Sequence, residues 1–494
     1  MYGLMPLFDT HAARLLDTRA TALSGGDGYA LMQRAGQAAW QHLLQHWPAA
    51  QCITVVCGPG NNGGDGYVLA RLAHRSGRSV KVVHLAEHVP GTELSQRACT
   101  DYVAAGGDIG IFPEVVLHGD LVVDALFGIG LSRPPDAFAT ALIDAINGQP
   151  APVLALDVPS GLDADRGSAS GKAVNASRTL QFIARHAGLH TGEALEHTGE
   201  LSLEGLEVAA EVFFTVEPGA SLLTQEALSY WLLPRRRNTH KGESGRALCI
   251  GGDHGHGGAI LLCAEAALRS GAGLLSVATR ETHVPAIMAR RPEAMAHAVE
   301  SGEELKPLLS QVDAIAIGPG LGRGDWGRAM LKLALTADKP LVLDADALNL
   351  IAAEPHALAD AILTPHPGEA ARLLGMDAAE VQRDRFAAAQ AIAERYQAAV
   401  VLKGAGTIVA APGQVPRVLE AGNPGMAVGG MGDLLTGVIV ALRASGMSAF
   451  EAASAGALLH SLAGDAAAEE GERGLLPSDL FPHLRRLVNP EGID

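Results

Sequence analysis

The stretch NPGMAVGGMGDLLTG, residues 423–437, joins a glycine-rich turn to the start of a helix. The apolar residues that continue it to Leu442 show no period-2 alternation, which indicates a buried helix rather than a strand. The glycines permit a tight turn and leave backbone N–H groups uncovered at the helix start, where an anion is attracted. Asp433 follows these glycines directly. It either complements the helix dipole or acts as a general base beside an anion site.

The size and charge of the chain limit what it can do. Its 494 residues exceed what one hydrophobic core serves, so two or three domains are expected. A formal net charge of −17 argues against nonspecific binding to nucleic acid or to an anionic membrane. The 5 cysteines contain no C-x-x-C pair, which fits buried thiols in a reducing cytosol. Because neither a secretory signal nor a membrane-length apolar run is recognisable, we expect a cytoplasmic protein.

Three strands of the first half end in polar, glycine-rich loops. The strand at 52–57 begins a βαβ unit, in which GPGNNGGDG (58–66) forms the loop and 67–76 the helix. The strands at 121–124 and 153–157 lead into DALFGIGLSRP and DVPSGLDAD. The carboxyl ends of parallel strands line the ligand crevice of an open sheet, so these loops are expected to form one site. The pattern predicts a doubly wound α/β domain.

A second alternation of strands and helices starts after a composition shift, and we place the domain boundary between residues 218 and 219. The strand at 247–252 enters a loop rich in Gly and His. Later strands lead into four further polar turns, which are GPGLGRG (318–324), DADALN (344–349), TPHPGE (364–369) and KGAGT (403–407). The pattern predicts a second α/β domain.

The first glycine-rich loop leaves a dehydrogenase open as an alternative. Residues 58–63 satisfy the dinucleotide pattern G-x-G-x-x-G after a strand. However, the charge of Asp65 at the helix start would repel a pyrophosphate. The amides of Asn61 and Asn62 instead suit hydroxyls, a nicotinamide-type group or a metal.

Further candidates of the first half carry oxygen ligands. Asn62, Asp124 and Ser160 would converge if their loops top adjacent strands. They offer hard oxygens with one certain charge, which favours a weakly hydrated monovalent cation, although each alone is more typical of a turn cap. Asp157 ends a buried strand and is the strongest proton-transfer candidate of this half, the alternative being that it opens an Asx-turn.

The second half carries a candidate nucleotide loop. Lys403 is followed by small residues that let a phosphate approach the backbone, but it precedes the glycines and so forms no Walker A motif. His366 and Glu369 lie at a predicted helix start, and capping explains Glu369 better than His366. Asp344 and Asp346 would hold a metal-bound water or cap a helix.

Taken together and in order, these motifs resemble one family. GPGNNGGDG, DALFGIGLSRP and DVPSGLDAD are similar to the epimerase domain of NAD(P)H-hydrate repair enzymes. The motifs of the second half are similar to the ribokinase-like ADP-dependent NAD(P)H-hydrate dehydratase. They are HKGESG, IGGDHGHGGA, GPGLG, DADALN, TPHPGE, KGAGT and GNPGMAVGGMGDLLTG. The resemblance implies a Rossmann-like epimerase domain at 1–218 and a ribokinase-like α/β/α dehydratase domain at 219–494.

The resemblance implies repair of hydrated nicotinamide cofactors. The first domain would interconvert the R and S hydrates of NADH or NADPH. The second would dehydrate the S hydrate while ADP, entering with Mg²⁺, is converted to AMP and phosphate. Asp433 would take the proton of the hydrate hydroxyl while residues 430–432 stabilise the transferring phosphoryl group. Asp157 would be the catalytic residue of the first domain, and a homo-oligomer is expected.

The resemblance also implies site residues by position. In the first domain the hydrate contacts would be Asn61, Asn62, Gly63, Gly64, Asp65, Gly128, Ile129, Gly130, Leu131, Ser132, Arg133, Pro134 and Asp157. Potassium would be held there by Asn62, Asp124 and Ser160. In the second domain the hydrate contacts would be Ala259, Gly322, His366 and Asp433. The nucleotide contacts would be Lys403, Gly404, Ala405, Gly406, Thr407 and Gly432.

Two other functions stay open at this point. A ribokinase-like vitamin or alcohol kinase fused to a Rossmann-type domain would phosphorylate an alcohol and stop there. A non-catalytic nucleotide-binding or scaffold protein would bind AMP and turn nothing over. The pattern assigns no role to His254 or His256.

Overall fold

The computed structural model describes residues 3–130, 133–358 and 360–489. It divides into two compact units. The first unit is Pro6–Ala220, and the second begins at Ser221 and also takes in the N-terminal residues up to Met5. From the sequence, all of 1–218 is expected in the first domain, so the placement of residues 3–5 in the second unit differs from that expectation. A four-residue strand is too short to show a periodic pattern.

The strands are short and mostly apolar. The first nine are β1 (Leu4–Leu7), β2 (Cys52–Cys57), β3 (Ser79–Leu85), β4 (Asp108–Phe112), β5 (Leu121–Ala125), β6 (Val153–Leu156), β7 (Arg178–Phe182), β8 (Glu200–Glu204) and β9 (Ala220–Leu223). The others are β10 (Arg246–Ile250), β11 (Leu274–Thr279), β12 (Met295–Ala298), β13 (Ala314–Ile317), β14 (Leu341–Leu343), β15 (Ala361–Leu363), β16 (Ala399–Leu402), β17 (Thr407–Ala410) and β18 (Arg417–Leu419).

The helices alternate with these strands. In the first unit they are α1 (Thr10–Leu23), α2 (Gly28–His46), α3 (Asn61–Arg75), α4 (Glu93–Ala104) and α5 (Ala137–Asn147). In the second unit they are α6 (Ala227–Trp231), α7 (Gly257–Arg269), α8 (Val284–Arg290), α9 (Gly302–Leu309), α10 (Asp325–Leu335), α11 (Ala345–Ala353), α12 (Pro367–Leu374), α13 (Ala378–Arg383), α14 (Arg385–Tyr396), α15 (Met431–Ala444), α16 (Ala449–Ala467) and α17 (Leu480–Leu487). Among the residues that the structure describes, none of these helices is long and apolar enough to cross a bilayer.

The first unit is built on a seven-stranded parallel sheet. Its strand order is β4-β3-β2-β5-β6-β7-β8, so the direction of winding reverses between β2 and β5. Ile53 and Val55 on β2 pack into one core cluster, whereas their neighbour Val56 packs into a second. Helices therefore cover both faces of the sheet, as in doubly wound folds.

The predicted loop at 58–66 is shorter than the sequence suggested. Helix α3 begins at Asn61, whereas the prediction placed its start at residue 67. Glycine has a low helix propensity, but here it permits close packing: a Cβ on Gly66 would lie 2.6 Å from the Cβ of Ala125. The glycines of this motif serve helix–sheet packing as well as the turn.

The second unit is built on an eleven-stranded sheet. Its order is β1-β9-β18-β17-β16-β15-β14-β13-β10-β11-β12. Neighbours from β12 to β16 are parallel, and β17 is antiparallel to both β16 and β18. Winding reverses between β10 and β13. Helix α15 is buried from Leu434 to Ala444, which confirms the buried helix predicted from its apolar run.

Candidate active sites

The first candidate site lies where β2 and β5 are neighbours, outside their carboxyl ends. A cavity of about 730 Å³ opens there. The predicted residues that line it are Asn61, Asn62, Asp65, Gly128, Ile129, Gly130, Arg133 and Asp157. Leu131 and Ser132 lie outside the described residues. The cavity thus brings the three predicted loops together.

Three predicted substrate contacts do not line this cavity. A Cβ on Gly63 would lie 2.0 Å from the carbonyl oxygen of Gly58, and one on Gly64 would lie 2.4 Å from Cε of Met32. The structure therefore gives these two glycines a packing role. Pro134 is exposed and lies outside the cavity lining.

A buried oxygen cluster lies beside the cavity. The carboxylate of Asp124 accepts hydrogen bonds from the Ser160 backbone N–H at 2.8 Å and from Ser160 Oγ at 2.6 Å. Burial raises the pKa of Asp124 to about 6. Asn62 donates from Nδ2 to the carbonyl oxygen of Phe127 at 3.0 Å. Within the described part of the chain, Asn62 Oδ1 is buried without a hydrogen-bond partner.

The composition of this cluster fits a cation. An unpartnered buried carbonyl oxygen is unfavourable unless a donor or a cation meets it. The neighbouring ligands are a carboxylate and a hydroxyl, and oxygen-only sets suit hard cations. The residues present therefore fit the predicted potassium ion, with Asn62 Oδ1 as the atom that the ion would satisfy.

Asp157 is held by a histidine that the sequence analysis missed. Its backbone adopts a left-handed φ of 65°, which costs about 1 kcal/mol or more for a non-glycine residue. His186 Nε2 lies 2.9 Å from Asp157 Oδ1. The His186 ring is buried, and its Nδ1 has no hydrogen-bond partner among the described residues. A ring that donates Nε2–H to the carboxylate satisfies this geometry.

Two further carboxyl groups line the same cavity. Burial, followed by the charges of Asp157 and Asp17, holds the pKa of Asp65 well above its ordinary value. Burial and then Asp157 also raise the pKa of Asp17. Asp17 lies on α1 and His186 follows β7, outside every glycine-rich loop, so the motif pattern carried no signal for either.

The second candidate site is centred on Asp433 in the first turn of α15. Gly430 precedes the helix with a φ of 98°, a conformation that glycine adopts without strain. Burial, followed by the charge of Asp344, raises the pKa of Asp433 to about 7. A carboxylate that only complemented the helix dipole would have a lowered pKa. The geometry therefore favours the general-base interpretation over the capping one.

A buried ion pair faces Asp433. Asp344 accepts hydrogen bonds from Lys403 Nζ at 2.9 Å and from Thr436 Oγ1 at 3.0 Å. Burial opposes the ionisation of Asp344, but Lys403 and these hydrogen bonds hold the pKa of its carboxyl below the ordinary value. A Cβ on Gly432 would lie 3.1 Å from Lys403 Nζ, so the glycine leaves room for the ammonium group. Asp344 is thus an ion-pair partner rather than a simple cap.

The loop KGAGT connects β16 to β17 and requires glycine twice. Gly404 has a φ of 132° and Gly406 a φ of 59°. Thr407 donates from Oγ1 to the carbonyl oxygen of Gly404 at 3.0 Å. Ala405 lies between the glycines at the exposed tip. All five predicted nucleotide contacts of the loop therefore form one compact turn beside Lys403 Nζ.

The remaining predicted contacts surround this centre. Asp346, whose charge also raises the pKa of Asp433, accepts a hydrogen bond from the Gly322 N–H at 3.0 Å. Ala259 lies in the first turn of α7, beside Gly320 of the same loop as Gly322. His254 and His256 are exposed and belong to no cluster of metal-binding side chains within the described residues.

His366 has a capping role that the sequence analysis underrated. It is the N-cap of α12, where its Nδ1 accepts a hydrogen bond from the Gly368 N–H at 3.0 Å. Burial and then Lys403 lower the pKa of His366, so its ring is neutral at neutral pH and free to accept. Glu369 completes the capping box and lies 3.8 Å from Lys403 Nζ.

The fold and the two sites define a two-domain α/β enzyme that carries a cavity lined by carboxyl groups in one unit and a lysine–aspartate ion pair beside Asp433 in the other. Two protein-family models match the chain, one in each half. Residues 28–188 match the YjeF-related protein N-terminus, and residues 247–486 match NAD(P)H-hydrate dehydratase.

Individual relatives match over nearly the whole chain. The bifunctional NAD(P)H-hydrate repair enzyme Nnr of Coxiella burnetii is 50% identical over 487 residues, which are 98% of this chain and 99% of that protein. The enzyme of the same name from Escherichia coli K12 is 45% identical over 471 residues, 94% of this chain and 90% of that one.

A solved structure matches about half of the chain. It is a ribokinase-like superfamily protein from Enterococcus faecalis, which matches with a TM-score of 0.51 at 32% identity, over 55% of this chain and 95% of its own.

The chain belongs to the family of bifunctional NAD(P)H-hydrate repair enzymes. This result confirms the family resemblance and the fold class, which is two α/β domains of Rossmann-like and ribokinase-like type. It also favours the repair enzyme over the dehydrogenase, the vitamin kinase and the non-catalytic scaffold.

Proposed function

We propose that the chain restores hydrated nicotinamide cofactors by two successive reactions. An epimerase domain, expected from the sequence at residues 1–218 and built on the unit Pro6–Ala220, interconverts the R and S hydrates of NADH or NADPH. A dehydratase domain, residues 219–494, converts the S hydrate to NAD(P)H while ADP gives AMP and phosphate. The observation that carries the proposal is Asp433, a carboxyl group with a pKa of about 7 at a glycine turn beside a buried lysine–aspartate pair.

In the dehydratase site, Asp433 accepts the proton of the hydrate hydroxyl group. The hydroxyl oxygen then attacks the β-phosphorus of ADP, and AMP leaves. The N–H groups of residues 430–432 and the ammonium group of Lys403 stabilise the negative charge that the transferred phosphoryl group carries. Phosphate is a better leaving group than hydroxide. Its departure, with loss of a proton from the adjacent ring carbon, restores the reduced nicotinamide ring.

In the epimerase site, Asp157 is the residue that exchanges a proton with the hydrate. Its contact with His186 fixes the direction of the carboxylate, in the way a third group orients a catalytic base. Burial and the neighbouring charges of Asp157 and Asp17 hold the pKa of Asp65 well above its ordinary value, which favours its protonated, hydrogen-bond-donating form. The cavity thus offers one acceptor and one donor to the hydrate.

Potassium would be held by Asn62, Asp124 and Ser160. The support is the unpartnered Asn62 Oδ1 beside a carboxylate and a hydroxyl group. When bound, the ion supplies a fixed positive charge next to the cavity. Potassium-free buffer is expected to lower the epimerisation rate, and sodium is expected to restore it poorly because the smaller ion fits the same oxygens less well.

The location and assembly of the chain stay predictions. A reducing cytoplasm is supported by the 5 free cysteines, of which Cys263 donates a hydrogen bond from Sγ to Cys249 Sγ at 3.6 Å rather than forming a disulfide. A homo-oligomer is expected, and light scattering of the purified chain measures its mass directly.

The test starts from a mixture of R and S hydrates of NADH. With ADP and Mg²⁺, the absorbance of reduced nicotinamide is expected to recover beyond the fraction due to the S form. Absence of any recovery contradicts the dehydratase proposal. Recovery that stops at the S fraction, above the spontaneous background, contradicts the epimerase proposal. Accumulation of a stable phosphorylated hydrate indicates a kinase instead.

A further inference from the structure

A buried arginine supports the nucleotide loop from behind. Arg385 is the first residue of α14, and its side chain is the largest that is fully buried in the described part of the chain. Burial lowers the pKa of its guanidinium to about 10, so the group is still cationic at neutral pH. Removing a charge from water is unfavourable unless polar groups compensate, so the contacts of this side chain indicate what keeps it there.

The polar contacts of Arg385 converge on the loop KGAGT. Its Nη2 donates to the carbonyl oxygens of Leu402 and Lys403, both at 3.3 Å, and of Gly406 at 3.4 Å. Its Nη1 donates to Gln382 Oε1 at 2.6 Å. The two hydrogens of Nη2 are shared by three long hydrogen bonds, so the set acts together rather than through one strong bond. The loop is folded around the guanidinium group.

The glycine that follows Lys403 is shaped by the same contact. A Cβ on Gly404 would lie 3.1 Å from Arg385 Nη1 and 3.2 Å from Nη2. The φ of 132° at Gly404 is also a conformation that other residues rarely adopt. Gly404 therefore lets the backbone lie flat against the arginine.

This packing determines which way the loop amides point. In a trans peptide the C=O and N–H groups point to opposite sides. The carbonyl of Leu402 points to Arg385, and the N–H of the same peptide, on Lys403, donates to the carbonyl oxygen of Pro365 at 2.9 Å. The carbonyl of Lys403 points to Arg385 as well, so the N–H of Gly404 is directed away from the arginine.

We infer that Arg385 is a positioning residue for the nucleotide, which it never touches itself. It fixes the backbone of residues 402–406 so that the N–H of Gly404 is directed away from the guanidinium and is available to a phosphate, and it places a buried positive charge behind this loop. The inference rests on the proposed function only in naming ADP and AMP as the occupants. Loss of Arg385 weakens nucleotide binding and leaves hydrate binding to Asp433 and its neighbours intact.

The test compares three variants with the full-length wild-type chain. Arg385→Gln removes the charge and the planar fork of donors, and Arg385→Lys keeps the charge alone. Arg395→Gln, which replaces an exposed arginine in the last turn of the same helix α14, is the matched control. Dehydration rates are measured with ADP and hydrate varied separately, and AMP affinity is measured by calorimetry. The melting temperature and the KM for the hydrate report that the second unit, which carries Arg385, has folded.

Arg385→Gln is expected to raise the KM for ADP and the Kd for AMP by roughly 10- to 100-fold, as for loss of hydrogen bonds from a charged group. The KM for the hydrate is expected to change by less than about twofold. Arg385→Lys should be intermediate, and Arg395→Gln should match the wild type. Gly404→Ala places a methyl group against Nη1 and is expected to show the same selective loss while Arg385 is still present.

Two results overturn the inference. One is a wild-type KM for ADP in Arg385→Gln. The other is an equal loss for ADP and hydrate that follows a drop in melting temperature, because a residue that only stabilises the fold affects both substrates alike. The calorimetric titration with AMP distinguishes failure of this inference from failure of the proposed function. If AMP binding weakens in Arg385→Gln, the inference is supported even when the wild type dehydrates no hydrate.

Discussion

The pKa of Asp433 makes its role testable by pH. Because this pKa is about 7, the carboxylate that accepts the hydroxyl proton forms only as the pH rises through neutrality. The dehydration rate should therefore fall on the acid side of pH 7. In Asp344→Asn the negative charge that raises this pKa is absent, so the acid limb of the pH–rate profile should move to lower pH. An unmoved limb means that another group limits the rate.

Replacing Asp433 separates activity from stability. Asp433→Asn should lower the dehydration rate by about 10²- to 10⁴-fold, as for loss of a general base, and leave epimerisation unchanged. The folded pKa lies above the unfolded one, so ionisation of Asp433 takes stability away as pH rises from about 4 to 7. At pH 8 the variant should accordingly melt at a higher temperature than the wild type. A lower melting temperature at pH 8 contradicts the burial argument.

Variants at Asp157 and His186, in the first unit, should give the complementary result. Asp157→Asn should abolish epimerisation and leave dehydration of pure S hydrate unchanged. His186→Gln keeps a donor near Asp157 Oδ1, whereas His186→Ala removes it. Epimerisation should therefore fall more in the alanine variant, mainly in kcat, because the carboxylate loses its orientation. Equal rates in the two variants would contradict an orienting role for the Nε2–H donor of His186.

Sequence motifs identify site residues that lie beside glycines, but they do not identify residues that reach a site from elsewhere in the chain. Asp433, Asp157 and Lys403 stand at strand ends or helix starts beside glycines, so the local sequence pattern is enough to predict them. His186 and Arg385 reach their sites from outside those loops, through a side chain whose partner lies 29 or about 20 residues away in the chain. Such contacts depend on tertiary packing, which a motif does not encode.

At the scale of elements, apolar strands with both faces buried were predictable and edge strands were not. β13 and β16 are runs of buried apolar residues, and β2 and β5 are nearly so, which is the pattern of strands covered on both faces. β4 and β8 lie at the two edges of the first sheet, where β4 has one buried residue and β8 has none. Their pattern is as compatible with a loop as with a strand.

The contact between α7 and α15 supplies an element-scale prediction. A Cβ on Gly437 would lie 2.1 Å from the carbonyl oxygen of Cys263, so glycine is what lets these two helices approach. Gly437→Ala should destabilise the second unit by about 1–3 kcal/mol, the range for overpacking a core. Calorimetric melting measures this, with Gly324→Ala as a control because its Cβ would meet no neighbour. Since both helices begin at the site, dehydration should also slow.

At the scale of the whole molecule, the N-terminus belongs to the second unit, and this gives a test of domain assignment. Gly3 accepts a hydrogen bond from the Thr224 N–H at 3.0 Å, and a Cβ on Gly3 would lie 2.2 Å from the backbone nitrogen of Ala227. Gly3→Ala should therefore loosen the edge strand β1 of the eleven-stranded sheet. Dehydration activity should be lost at a lower temperature than in the wild type, while the heat resistance of epimerisation is unchanged.

Gly25 offers the control for that experiment, because it has a φ of 88°, similar to the 74° of Gly3, but open space around its Cβ position. Gly25→Ala introduces the same kind of backbone strain into the first unit without a clash, so only epimerisation should become more heat-sensitive. The two variants then form a crossed pair, each affecting one activity. If Gly3→Ala weakens epimerisation instead, the N-terminal strand serves the first unit, as the boundary expected from sequence implies.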